Sequence, residues 1–517
     1  MSAATATRTK KRPHAPHALT PHTPDARALL AFLGFYLLTA SGHLYAVDEE
    51  TLFRITEGLS SGIGRAAQRR LGHGGKSQRA DGPLYAQYTP GQPLAAVPLY
   101  LAGKVLATRF PPDASIYILR FCVSLLGAFV TAATVALLYR FARSLGYGGR
   151  VALGLAMIYG LATTAWPHGR TFFAEPLTAL CLLVAFYWLR VGTETRHGGW
   201  LIAAGIATAA ACLVKPHAAI AVPVLGLYLL ARVVRTGEGA NGRGVDLTPR
   251  PPLPRGEGVT RSMVSGNEGR FRPFARSPLR PCLAYVFGGV LGALPFAIYN
   301  ARIYGNPLST GYVAVGDLFT TPFLTGLYGL TVSSGKGILW YSPPILLAII
   351  GWWGFWRRHG AEALACLGLG LVHLAFYSRV AFWHGDGSWG PRYLTIALPF
   401  LMLPALGMLG AQGWRTARLV AIAVLVTLGV GVQLLGVLVN FDWYLQRSDE
   451  QARHFTPSAS PILAHARILK SRADEWLARR LPPPDVVFLR AGFSYAESEQ
   501  AGALFPRWTI GAGTIAI

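Results

Sequence analysis

Apolar runs of membrane-spanning length recur along the whole chain, and nothing else in the sequence constrains its fold as strongly. A helix needs about 20 mostly apolar residues to cross the hydrocarbon core of a bilayer. Eleven candidates occur, at 28–47, 114–139, 151–167, 174–190, 199–214, 217–234, 281–299, 338–356, 361–380, 393–411 and 417–439. Trp166, Trp188, Trp200, Trp352, Trp353 and Trp356 lie near their ends, where interfacial rings belong. The expected fold is an all-α polytopic membrane bundle of eleven spans. Composition agrees: 14% of residues are charged, against about 25% in soluble proteins. A soluble enzyme, a disordered chain and a disulfide scaffold are excluded. The net charge of +24 does not indicate nucleic acid, because basic nucleic-acid binders lack repeated spans. All five cysteines fall in or beside apolar runs and read as small buried hydrophobes.

Arginines set the expected direction. With the N-terminus in the cytoplasm, Arg140/Arg143/Arg150, Arg190/Arg196, Arg232/Arg235, Arg357/Arg358 and Arg415/Arg418 all fall inside. This requires that 92–108, which carries Pro93, Pro98 and Lys104, lie along the outer surface as a juxtamembrane helix. The spans and their connections form a unit over 28–439. It is preceded by a basic tail at 1–27 expected to be disordered and followed by a small outer segment at 440–517. Within it lie a long outer loop at 48–113 and a Gly/Pro/Arg-rich cytoplasmic insert at 235–280, also expected to be disordered. Ile462 to Leu481 has the spacing of an amphipathic surface helix.

The acids are more informative than the bases. Of 24, one lies in the tail, six in 48–113, four in the insert and eight after 439. Glu175, Glu194, Asp317, Glu362 and Asp386 remain. On the expected topology Glu175, Asp317 and Asp386 face outward, on the same side as Asp48, Glu49 and Glu50. Carboxylates near a bilayer are costly and tend to line polar cavities, so the outer surface is where chemistry is expected. Asp48-Glu49-Glu50 directly follows the first span and opens a helical pattern through Leu52, Ile55 and Leu59. Glu175-Pro176 reads as the first turn of the fourth span, with His168 and Arg170 in the same outer turn. Tyr85 to Leu99, rich in Pro and aromatics, suits either a polyprenyl chain or packing against the bundle. Residues 382–393 combine two Trp with His384, Asp386 and Arg392, a set suited to a sugar and a phosphate. Walker A and His-Glu-x-x-His motifs are missing.

The order of these features resembles the GT-C glycosyltransferases. More narrowly, it is similar to the bacterial lipid-carrier-dependent branch that includes protein O-mannosyltransferases and aminoarabinose transferases. The resemblance rests on the acidic group after the first span, the Tyr88-Thr89-Pro90-Gly91-Gln92-Pro93-Leu94 stretch and Glu175. The blocks Tyr304 to Tyr312, Ser333 to Pro344 and Ser388 to Tyr393 add to it, and it covers about residues 28–440. It implies Asp48 as general base and Glu175 as second acid. It implies a polyprenyl-phosphate sugar donor, inversion at the sugar, and a lipid, glycan or protein acceptor at the outer face of the bacterial inner membrane. Aminoarabinose transferases carry a Lys where Gly91 stands here. The phosphate role therefore passes to Arg392, Lys336, Lys215 or Arg170. Glu49, His168, Tyr88, His384, Asp386 and Trp389 are candidate substrate contacts. No cofactor is required, although Asp48 and Glu175 could hold a divalent metal. The competing readings are a transporter or lipid-linked-sugar flippase and a non-catalytic relative.

Overall fold

The computed structural model describes residues 23–61, 88–238, 279–309 and 315–478, apart from 386, 412, 414–415, 442–443 and 445–447, followed by three strands between 492 and 516. The expectations for residues 1–22, most of the insert (239–278) and Asp386 lie outside the described residues.

Helix dominates, and every predicted apolar run contains it. The longer helices are α1 (Thr23–Leu38), α2 (Val47–Ser60), α3 (Gly91–Ala107), α4 (Ser115–Ser124), α5 (Leu126–Ser144), α6 (Gly149–Ala162), α7 (Ala174–Thr195), α8 (Gly198–Val214), α9 (Val222–Glu238), α10 (Leu279–Tyr304), α11 (Ile345–Arg358), α12 (Gly360–Arg379), α13 (Thr416–Leu438) and α14 (Pro461–Ala478). Among the described residues, six stretches are long and apolar enough to cross a membrane: Pro112–Ser144, Ala174–Thr195, Pro216–Arg235, Leu279–Tyr304, Gly360–Arg379 and Thr416–Leu438. Leu29–Leu38, Gly149–Ala162, Gly198–Val214 and Leu398–Leu409 are shorter apolar helices. Two of the interruptions within the runs have a covalent reason. Pro343 and Pro344 separate Ile338–Tyr341 from α11, and the run at 393–411 is divided into short 3-10 and α pieces around Pro399 and Pro404. α14 falls where the amphipathic spacing placed it. The three C-terminal strands form a small antiparallel sheet in the order β1 (Gly492–Glu497), β2 (Leu504–Ile510), β3 (Gly513–Ala516).

Small residues let the apolar helices approach closely, as membrane helices require. α8 and α10 pack through Gly205 and Gly288; a Cβ on either would overlap the facing backbone. One large core joins α1, α5, α6, α7, α8, α9, α11 and α12. A separate cluster of Leu52, Phe53, Ala96, Tyr100, Val123 and Phe172 fastens α2 and α3 to α4 and to the turn before α7. That second cluster brings the start of α2 to the start of α7. α3 itself is absent from the six spanning stretches. Leu94, Leu101 and Val105 remain exposed along it while Gln92, Ala96 and Tyr100 are buried.

Candidate active site

The three acids that open α2 part company at once, because successive helical residues point about 100° apart. Glu49, at the third helical position, turns back to its own N-terminus. Its Oε2 accepts from the backbone N–H groups of Ala46 (2.9 Å) and Tyr45, and its Oε1 from that of Phe172 (2.5 Å). Complete burial pushes the Glu49 carboxyl up to about 7, against the pull of these backbone donors. Both oxygens are committed to backbone, so Glu49 ties α2 to the turn before α7. Glu50 is held by Arg54 (2.8 Å) and Arg120 (2.9 Å). Asp48 alone turns inward to the site, with its side chain 34% exposed. It accepts from the Tyr88 hydroxyl (2.6 Å) and from Arg392 Nη2 (2.8 Å).

Arg392 is the centre of the arrangement. Its Nη2 meets Asp48, and its Nε lies 3.3 Å from Glu175 Oε1. One guanidinium thus touches both predicted acids, although Asp48 and Arg392 are 344 residues apart. Glu175 Oε1 also accepts from Lys215 Nζ at 2.5 Å. Glu175, Lys215 and Arg392 are all buried. Aromatic faces complete the enclosure: Arg392 lies 4.4 Å from the Phe173 ring centre and 5.0 Å from that of Tyr393, and Lys215 Nζ lies 4.6 Å from Tyr393. Burial opposes the charge of Arg392, but Glu175, Tyr393 and Asp48 outweigh it and hold the guanidinium protonated. The group between the two acids is therefore a guanidinium, and Arg392 and Lys215 together balance the charge of Asp48 and Glu175.

The supporting residues are placed by close backbone contact. Thr89 Oγ1 donates to the Val214 carbonyl (2.9 Å), and Gln92 Nε2 reaches the Phe172 and Phe173 carbonyls (3.4 and 3.3 Å). Residues 89–92 thereby pack on the bundle. Gly91 sits so close to this chain that an added Cβ would be 2.5 Å from Val214 N. No side chain fits there. The next residue after Val214 is Lys215, whose ammonium reaches Glu175.

The other candidates occupy varied positions. Lys336 is buried and donates to the Ser388 carbonyl (2.9 Å), anchoring the loop that leads to Arg392. Arg170 spends its donors on the carbonyls of Thr39 and Val437 (2.8 Å for the latter), bracing the ends of α1 and α13. His168 is buried near the site; burial, with help from Arg392 and Lys336 and against Glu175, pulls it down to about 4, so it is neutral at pH 7. Trp389 is 1% exposed, with its ring edge-on to Tyr341 and stacked at 4.5 Å on His465. It has no open face for a sugar. His384 Nε2 lies 3.3 Å from Glu450 and the ring stacks on His454. Phe173 and Tyr393, beside Glu175 and Arg392 in sequence, were not among the predicted contacts; their adjacency was the available signal.

A second ionic cluster lies at the other end of α7. Glu362 meets Arg190 (3.0 Å) and Arg232 (3.3 Å), and Glu194 meets the same two arginines (2.7 and 3.0 Å). At 1.5 Å per residue, Glu175 and Glu194 are about 28 Å apart along the helix. The buried charges thus mark the two ends of the bundle and leave the middle of α7 apolar.

Comparison with known proteins adds an independent result. Residues 90–237 match the family model of the dolichyl-phosphate-mannose-protein mannosyltransferases. The matched stretch runs from α3 to α9 and includes Glu175 and Lys215. It overlaps the features that carry the resemblance at Pro90 to Leu94 and at Glu175. No curated protein matches the chain. Among solved structures, ArnT from Cupriavidus metallidurans bound to undecaprenyl phosphate is 14% identical at a TM-score of 0.43, over 89% of this chain and 80% of that one. ArnT from Cupriavidus metallidurans in the apo state is 15% identical at 0.44, over 89% and 81%. Both scores mark a loose likeness in overall shape.

Proposed function

We propose that the chain is an inverting membrane glycosyltransferase. It moves a sugar from a polyprenyl-phosphate carrier to an acceptor hydroxyl at the outer face of the bacterial cytoplasmic membrane. The observation that carries this reading is Arg392, a buried guanidinium that contacts both Asp48 and Glu175 while its Nη1 has no hydrogen-bond partner among the described residues. Buried donors without partners are rare and call for an explanation. A phosphate oxygen supplies one, because guanidinium and phosphate match in charge and geometry.

The chemistry follows from what each group can do. Asp48, at the exposed edge, takes the proton of the acceptor hydroxyl as general base. The acceptor oxygen forms a bond to the anomeric carbon as the bond from that carbon to the phosphate oxygen breaks. The lipid phosphate leaves with the electron pair, and Arg392 and Lys215 stabilise the charge that gathers on it. Glu175 holds those two cations in place and is a positioning residue. Tyr88 orients Asp48. Attack by the hydroxyl opposite the departing phosphate inverts the sugar. Arg170 and Lys336, engaged with carbonyls, support the frame. The transporter reading predicts a polar site in mid-bilayer, whereas the buried ion pairs of α7 lie near its ends.

Replacing Asp48 tests the assignment. Asp48→Asn keeps the shape and removes the base. Sugar transfer from a polyprenyl-phosphate donor, followed with radiolabelled sugar in membranes, should be lost while the variant remains folded in the membrane. Full transfer by the variant would overturn the proposal.

A further inference from the structure

Away from Asp48, three side chains from distant parts of the chain meet where the loop before Arg392 touches the C-terminal segment. His384 comes from that loop, and Glu450 and His454 come from the short helix Glu450–Phe455. One ligand atom from each lies within 4.8 Å of the others. The His384 and His454 rings are stacked, with centres 4.6 Å apart. Both histidines are buried, while the Glu450 side chain is 56% exposed. We propose that His384, His454 and Glu450 bind a divalent transition metal, Zn²⁺ by preference, and that this ion clasps the Arg392 loop to the C-terminal segment.

Two imidazoles and a carboxylate are a ligand set that zinc uses when a fourth position stays open to water. With zinc–ligand bonds of about 2.0–2.2 Å and tetrahedral angles, neighbouring ligand atoms stand about 3.4 Å apart. His384 Nε2 and Glu450 Oε1 are already 3.3 Å apart. The third ligand needs only a small closing movement from within the 4.8 Å limit. Stacked imidazoles at this distance would repel each other if both were protonated; a shared metal takes both as neutral ligands. Borderline nitrogen and carboxylate donors select Zn²⁺ over Mg²⁺ or Ca²⁺, which prefer all-oxygen shells.

The frame around the three residues is well fixed. Gly335 N donates to the His454 carbonyl (3.1 Å), and a Cβ at Gly335 would overlap the Arg453 carbonyl. Ser460 Oγ donates to the Ser334 carbonyl (2.8 Å). The same turn carries Lys336, which holds Ser388. A metal at His384 would therefore complete a belt that runs from the C-terminal segment through the loop to Arg392.

The test uses the purified full-length protein in detergent, stripped with chelator and titrated with Zn²⁺ alone, with bound metal counted by elemental analysis. The expected result is one Zn²⁺ per chain and a rise in melting temperature on loading. Co²⁺ loading should give the visible absorption of a four-coordinate nitrogen/oxygen site. His384→Ala and His454→Ala should each weaken binding at least about 10-fold and abolish the thermal rise. Glu450→Gln, at an exposed position that leaves the core untouched, should weaken it in the same direction. Failure of the stripped wild-type protein to bind Zn²⁺ would overturn the proposal and leave a plain His–Glu ion pair. Full stoichiometry and unchanged affinity in Glu450→Gln together with either His variant would overturn it as well. None of these readouts depends on glycosyl transfer.

Discussion

Glu175→Gln exchanges a buried carboxylate for a neutral amide of the same shape. In the intact site two acids, Asp48 and Glu175, balance two cations, Lys215 and Arg392. Glu175 Oε1 stands 2.5 Å from Lys215 and 3.3 Å from Arg392, and both cations are at least nine-tenths buried. The substitution leaves them with only the half-exposed Asp48 and one uncompensated positive charge. Breaking a buried pair from one side costs about 3–5 kcal/mol, much of it the cost of the stranded partner. Glu175→Gln/Lys215→Met removes both charges and restores the balance of Arg392 with Asp48. The double variant should therefore lose about 1–3 kcal/mol less than the sum of the losses of Glu175→Gln and Lys215→Met. Thermal unfolding in detergent, read with a thiol-reactive dye that reports the buried, free Cys122 and Cys366, measures all members of the cycle. If Glu175→Gln stays within about 0.5 kcal/mol of wild type, or the two single effects simply add, the four charges are not one network and the reasoning fails.

Arg392→Lys keeps the charge but a single ammonium cannot span Asp48 and Glu175, so sugar transfer should fall about 100-fold or more, as kcat measurements would show. Gly91→Ala places a Cβ 2.5 Å from Val214 N and should cost about 1–3 kcal/mol in thermal unfolding, with a loss of transfer as Lys215 shifts. Glu49 binds its proton more tightly in the fold than in the unfolded chain, near 7 against an ordinary 4.5. Its contribution is therefore present below about pH 4.5 and lost as pH rises to 7, a fall of about 3 kcal/mol that stability measured across this range should show and Glu49→Gln should lack.

Much of the frame was legible in the linear chain because membrane helices announce themselves locally. Length and apolarity are properties of a contiguous window, and α7, α9, α10, α12 and α13 lie where those windows fell. Helix entry signals are equally local. Asp48-Glu49-Glu50 and Glu175-Pro176 both proved to be first turns, because the helix N-terminus favours acids and tolerates proline. The site was legible in part for the same reason. Two acids at helix starts on one expected surface, and Arg392 at the end of a loop, were already in view.

What each of these residues touches was a different matter. The sequence by itself determined a helical membrane bundle, its excess of arginine at the connections, and a short set of acids and cations from which a site could be built. The tertiary structure decided what each member of each set touches. It turned Glu49 onto backbone and Glu50 onto Arg120, leaving Asp48 for Arg392. It spent Arg170 on carbonyls, buried Trp389 among rings, and brought Lys215 to Glu175 past a glycine that admits no side chain. It also carried His384 to Glu450 and His454. The reason is physical: periodicity and propensity act over a few residues, whereas an ion pair between Asp48 and Arg392, 344 residues apart, exists only once the helices between them have packed.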